Sequence, residues 1–159
     1  MADPTQSGPD ETDLAILTYL QEEARISNIQ LAGRVHLSES ACLRRVRALE
    51  ESGFITGYAA LVDPERVGLP VSVFVHVTLV HQDKTDLDAF EEAVRSIPEI
   101  MECYLMTGDF DYLLRVVVSD ATDFERVHRH RLTQLPGVSR VQSSFALRTV
   151  RKTTALPLR

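Results

Sequence analysis

SNIQLAGRVHLSESACLRRVRALEESG, residues 27–53, reads as two short helices broken by a tight turn. Ser27 followed by Gln30 is a capping-box pattern, and Leu31 and Val35 supply the buried stripe of a helix that must stop near His36. Ser38 can cap a second helix, along which Cys42, Val46, Leu49 and Gly53 recur at intervals of three and four and form a buried seam with a glycine stop. At about 100° per residue, Ser40, Ala41, Arg44 and Ala48 lie roughly opposite that seam, with Arg45 and Arg47 on its flanks. Small residues beside arginines let a helix approach the major groove closely while guanidinium groups reach guanine edges or phosphates. The pattern therefore predicts a helix-turn-helix whose second helix faces duplex DNA.

A solvated helix face would account equally for a bare basic cluster. The distribution of charge argues for more. The chain carries a net charge of −6, yet residues 33–50 hold Arg34, Arg44, Arg45 and Arg47 against only Glu39 and Glu50. Acidic Asp3, Asp10, Glu11, Asp13, Glu22 and Glu23 precede them. An acidic chain is a poor non-specific coat for nucleic acid, but it can carry a local basic footprint for a specific double-stranded site.

With 159 residues, 44% hydrophobic and 25% charged, the chain can fold as one large or two small domains. No stretch is long and apolar enough for a bilayer, and Met1 to Pro9 lacks the blocks of a signal peptide. The expectation is a cytoplasmic protein with a disordered leader over residues 1–9. Cys42 and Cys103 both fall inside apolar patterns, so they read as core residues rather than a disulfide or zinc framework. His128 and His130 diverge on a helix, so neither a metal nor another cofactor is expected.

Working outward, Asp13 to Glu23 reads as a first helix with the stripe Leu14, Ile16, Leu17, Leu20 and Ala24. Phe54 to Val62 reads as a β-rich wing strand. Residues 10–62 are thus expected to form a winged helix-turn-helix domain, followed by a linker over 63–70 that holds Asp63, Pro64, Gly68 and Pro70. Residues 71–159 then read βαββαβ. Val71 to Val80 alternates, with Val71, Val73, Val75, Val77 and Leu79 on one face and Ser72, Phe74, His76 and Thr78 on the other. Thr85 to Ile97 is a helix, Ile100 to Thr107 and Phe110 to Ser119 form a hairpin across Gly108-Asp109, Thr122 with Glu125 boxes a second helix, and Val138 to Val150 is the last strand. This order predicts an α+β chain with a C-terminal ferredoxin-like sandwich. Its second sheet face needs cover, for which a second copy packed sheet to sheet is expected.

The motifs DLAILTYLQEEARISNIQLAGRV, HLSESACLRRVRALEESGFITGYAALVDPERVG, EIMECYLMTGDFDYLLRVVVSD and LPGVSRVQSSFALRTV, in that order, resemble the Lrp/AsnC (feast/famine) transcription regulators over nearly everything after Pro9. The resemblance implies an N-terminal winged helix-turn-helix, a C-terminal effector and oligomerisation domain, and homodimers that assemble into tetramers or octamers and often respond to amino acids. It carries Ser40, Ala41, Arg44 and Arg47 over as groove-facing residues, with Arg34 and Arg45 as phosphate contacts and Ser38 opening the helix. The opening Ser38-Glu39-Ser40-Ala41 departs from the prolines and threonine usual in leucine-responsive members, which implies a different operator.

The resemblance also implies a small ligand between subunits near Thr107-Gly108-Asp109-Phe110-Asp111-Tyr112. A zwitterionic amino acid needs backbone N–H groups for its carboxylate and an acceptor for its ammonium, which a glycine turn between Asp109 and Asp111 can offer. Tyr104, Met106 and Val80 would line the apolar part. A plain hydrophilic hairpin turn is the bland alternative. Rivals from other classes are an enzyme resembling haem-pathway decarboxylases, with His76, His81, His128 and His130 as candidates, and a stand-alone metabolite-binding module. Against the enzyme, no paired acid and base or nucleophile motif stands out.

Overall fold

The computed structural model describes residues 8–159. Most of the leader expected to be disordered, residues 1–7, lies outside the described residues. Two compact units divide the chain, one ending at Leu61 and rejoined by Arg151–Arg159, the other spanning Val62–Val150.

The first unit is built on three helices: α1 (Glu11–Glu22), α2 (Asn28–Arg34) and α3 (Glu39–Glu51). Helix α1 starts two residues before the apolar stripe suggests, because Asp10 caps it. Its Oδ1 accepts the Asp13 N–H at 2.8 Å, and the Asp13 carboxylate accepts the Asp10 N–H at 3.3 Å. The Ser27–Gln30 box and the Ser38 cap form where the sequence places them. Ile16, Leu31, Ala32, Cys42 and Leu49 make the core, with Leu17, Leu20, Val35 and Val46 around it.

The turn between α2 and α3 depends on His36, which holds φ at 55° so that the Leu37 N–H can bond the Ala32 carbonyl at 2.9 Å. That is a Schellman closure with a histidine where glycine is usual. A β-branched side chain is far less tolerant of this conformation. His36→Val is expected to lower the unfolding free energy by about 1–2 kcal/mol, and His36→Gly to hold or raise it, as read from urea midpoints.

The expected wing strand does not form. Residues 54–62 run without ladder partners, and Phe54, Tyr58, Leu61 and Val62 are exposed. A strand needs a neighbouring edge, and the described residues of this unit contain no second strand to provide one. The last nine residues also differ from expectation, clustering with the first unit rather than with the sandwich. There the Gln21 side-chain amide satisfies both backbone groups of Leu156, at 2.6 and 3.2 Å.

In the second unit β1 (Val71–Leu79), α4 (Lys84–Arg95), β2 (Ile100–Leu105), β3 (Tyr112–Val118), α5 (Ala121–His130) and β4 (Val138–Phe145) follow in order. The antiparallel sheet runs β2-β3-β1-β4, the expected split βαβ arrangement. Val73, Val75, Val77 and Leu79 share the buried face with Tyr112, Leu114, Val116 and Val118, against Phe90 and Val94 of α4 and Phe124 and Val127 of α5. Each such side chain contributes roughly 1.5–3 kcal/mol on burial.

Helix α5 is capped by Asp120, whose carboxylate accepts the Asp123 N–H at 2.8 Å, and not by the Thr122–Glu125 box. Asp123 in turn accepts the Ser119 N–H, so the helix starts two residues earlier than the expected box. Strand β4 stops at Phe145 instead of Val150. Its ladder ends at the Ala146 N–H to Ser72 carbonyl bond, because β1 begins just after Pro70, which has no N–H to offer. On the sheet face turned away from both helices, Phe74 and Tyr104 are exposed beside half-buried His76, Leu113, Arg115 and Val117.

Candidate DNA-reading helix and effector turn

Helix α3 segregates its residues as the periodicity requires. Cys42 and Leu49 are buried, whereas Ser40, Arg44, Arg47 and Ala48 are exposed and Ala41 is half-buried. Among the described residues neither Arg44 nor Arg47 has an ion-pair partner, so both guanidinium groups are free to meet an anion. The Ser38 hydroxyl is engaged as the cap, accepting the Ala41 N–H at 3.3 Å. Asn28, which the sequence reading passed over, donates from its amide to the Glu39 carbonyl at 2.9 Å and pins the start of α3 to α2. Its signal was absent because the bond joins two elements rather than two positions of one helix.

Two of the expected phosphate contacts are committed elsewhere. Arg45 reaches back to α1, where one guanidinium nitrogen lies 2.8 Å from both Asp10 Oδ2 and Asp13 Oδ1. It therefore clamps the α1 capping box to α3. Arg34 pairs with Glu23 at 3.2 Å and lies 5.3 Å from the centre of the Tyr19 ring. A sequence shows a basic flank on a helix; it does not show that a neighbouring acidic cap occupies it.

The Asp13 N–H first, and the Arg45 guanidinium second, hold the Asp10 carboxyl below the usual aspartate range. A lowered folded-state value means that the stabilisation is complete above the unfolded aspartate pKa and is lost as pH falls through the folded one. Acid titration followed by far-UV circular dichroism is expected to loosen the α1–α3 clamp only below about pH 4, and Arg45→Met, which removes the clamp at every pH, to leave only the acid-sensitive contribution of the Asp13 N–H cap.

The effector-turn candidates also separate. Thr107, Gly108 and Asp109 are exposed, with Gly108 at φ 120°, a conformation that favours glycine. Tyr104 and Met106, just before the turn, and Val80, just after β1, are exposed as well. Asp111 and Tyr112 face inward instead. Asp111 is 8% exposed, and its two carboxylate oxygens accept the Leu79 N–H and the Gln82 amide, each at 2.7 Å. Its backbone N–H bonds Val77 and its carbonyl takes the Met106 N–H, closing the turn. Tyr112 is 1% exposed, packs its ring at a tilt against Phe90 and donates its hydroxyl to Glu91 at 2.9 Å; burial pushes its pKa well up. Asp111 therefore shapes the turn rather than presenting a free acceptor, and Tyr112 belongs to the core. Tyr112 lies opposite Val77 in the ladder, so the alternation of β3 turns it toward the core and away from the expected effector site.

Residues 72–156 match the Lrp/AsnC ligand binding domain, and residues 9–56 match a winged helix-turn-helix DNA-binding domain. The chain belongs to the Lrp/AsnC family of transcriptional regulators. The Bkd operon transcriptional regulator of Pseudomonas aeruginosa is 45% identical over 94% of this chain and 97% of its own length. The leucine-responsive regulatory protein of Haemophilus influenzae is 39% identical over 94% and 90%. Among solved structures, a transcriptional regulator of Neisseria meningitidis in complex with L-Met superposes with a TM-score of 0.89 at 41% identity, over 94% of this chain and 96% of that one. Like other Lrp/AsnC members, this chain joins a helix-turn-helix to a ligand-binding sandwich. Among the described residues no helix is long and apolar enough to cross a membrane, and no group of three or more His, Cys, Asp or Glu could hold a metal ion.

Proposed function

We propose that this Lrp/AsnC regulator binds a pseudo-palindromic duplex site as a homo-oligomer, and that an amino acid seated at the Thr107-Gly108-Asp109 turn, between subunits, changes its assembly and DNA affinity. The observation that carries the DNA reading is the exposed Ser40, Arg44 and Arg47 face of α3, whose two guanidinium groups have no ion-pair partner among the described residues. Two such helices in a dimer would sit about one DNA turn apart, roughly 34 Å. The sheet face bearing Phe74 and Tyr104 is the surface that a second copy would cover, and further assembly to tetramers or octamers would add avidity without new contacts. This role is regulatory rather than enzymatic.

For the effector, the relatives named leucine-responsive and solved with L-Met point to an amino acid. Backbone N–H groups around Gly108 would take the carboxylate and Asp109 the ammonium. Only a ligand that prefers one assembly state can shift the equilibrium, and a coupling of about 1–3 kcal/mol would change DNA affinity roughly five- to 150-fold. The test is a thermal-shift screen of the full chain against the twenty amino acids. A ligand at 100 times its dissociation constant stabilises the native state by about 2.7 kcal/mol, so one or a few clear hits are expected. A flat screen at millimolar concentrations would sink the amino-acid reading while leaving DNA binding untouched.

A further inference from the structure

Helix α3 also exposes one large apolar side chain. Leu43 is 39% exposed, although the helix has a buried seam available at Cys42, Val46 and Leu49. It lines a shallow depression with Ser40, Arg44, Arg47, Ala48 and Glu51, all of them residues of α3 itself, so no other element supplies that depression with a lining residue. Ser40 lies three residues before Leu43 and Arg47 four residues after it, which places the leucine in the same surface stripe as two of the polar groups. It also falls in the second turn from the helix start at Glu39, and it is the N-terminal part of a recognition helix that meets base edges. Among base edges in the major groove, the thymine C5 methyl is the one apolar feature, and apolar side chains are its partners.

We propose that Leu43 reads the C5 methyl of a thymine at one position of each half-site, while Ser40, Arg44 and Arg47 supply the polar contacts around it. The inference rests on the DNA-binding reading of α3 and makes Leu43 a determinant of sequence preference. A lone arginine face would favour guanine and phosphate and leave a T·A pair undistinguished from its neighbours. A leucine in the same stripe rewards the pair that carries the methyl and leaves cytosine, whose C5 has only hydrogen, without that gain.

The experiment starts by selecting duplexes from a random pool with the full-length protein. Each thymine of the selected operator is then replaced singly by deoxyuridine, which removes the methyl and leaves every hydrogen-bonding group in place. At one thymine per half-site the wild-type protein is expected to lose about three- to five-fold in affinity, the effect of exposing one methyl group. Leu43→Ala is expected to bind the thymine and deoxyuridine operators equally, and Leu43→Met to retain part of the discrimination. Wild-type indifference to deoxyuridine at every position would overturn the proposal without touching sequence-specific binding, and so would a Leu43→Ala protein that keeps the full deoxyuridine penalty. A pool from which no sequence is enriched would overturn sequence-specific reading by α3, and the role of Leu43 with it.

Discussion

Arg44→Ala is expected to weaken binding to the selected operator by about 1–3 kcal/mol, roughly five- to 150-fold, and to relax the preference at one base position. The magnitude follows from geometry. Arg44 is exposed on α3 without an ion-pair partner among the described residues, so no internal bond must break before it meets guanine N7 and O6. Arg45, one residue later, is expected to behave differently, since its guanidinium is held by Asp10 and Asp13. Its removal should lower the stability of the three-helix unit and weaken specific and random duplexes together. Fluorescence anisotropy with the operator and a scrambled duplex, each over a salt series, separates these outcomes. Equal losses for Arg44→Ala on both duplexes, with the salt slope reduced by about one, would reassign it from base to phosphate.

Asp111→Ala is expected to lower the stability of the sandwich by about 2–5 kcal/mol, whereas Asp109→Ala is expected to leave it within about 0.5 kcal/mol. The carboxylate of Asp111 is buried and takes two donors, the Leu79 N–H where β1 ends and the Gln82 amide, so its removal strands both. At about 4–8 °C per kcal/mol for a domain of this size, the thermal midpoint should fall by roughly 10 °C or more. Asp109 is exposed on the same turn, and none of the side-chain hydrogen bonds among the described residues involves it. Its replacement should remove the amino-acid-induced shift in melting temperature while the ligand-free midpoint stays put. An Asp109→Ala protein that still responds fully to the effector would sink the turn as the ligand site. An Asp111→Ala protein of unchanged stability would show that the loop after β1 holds its place without that carboxylate.

The sequence by itself determined the fold class, the order of the helices and sheet strands that form, and the buried faces of α3 and β1. Those properties are local: a 3.6-residue period puts Cys42 and Leu49 inside and Arg44 outside, a period of two puts Val73, Val75 and Val77 inside, and Ser27, Ser38 and Gly53 mark helix ends through bonds within a few residues of themselves. What only the tertiary structure decided is which polar groups are already in use. Arg45 and Asp10 are 35 residues apart in the chain, Asp111 and Gln82 29 apart, and Gln21 and Leu156 135 apart. No spacing rule connects such pairs. The unformed wing has the same origin, since Phe54 to Val62 has strand composition but no edge in its own unit to pair with. A side chain's position relative to the core follows from the periodicity of its own element, whereas its hydrogen-bond partner is set by where the other elements come to rest, and that depends on how all the buried faces pack together.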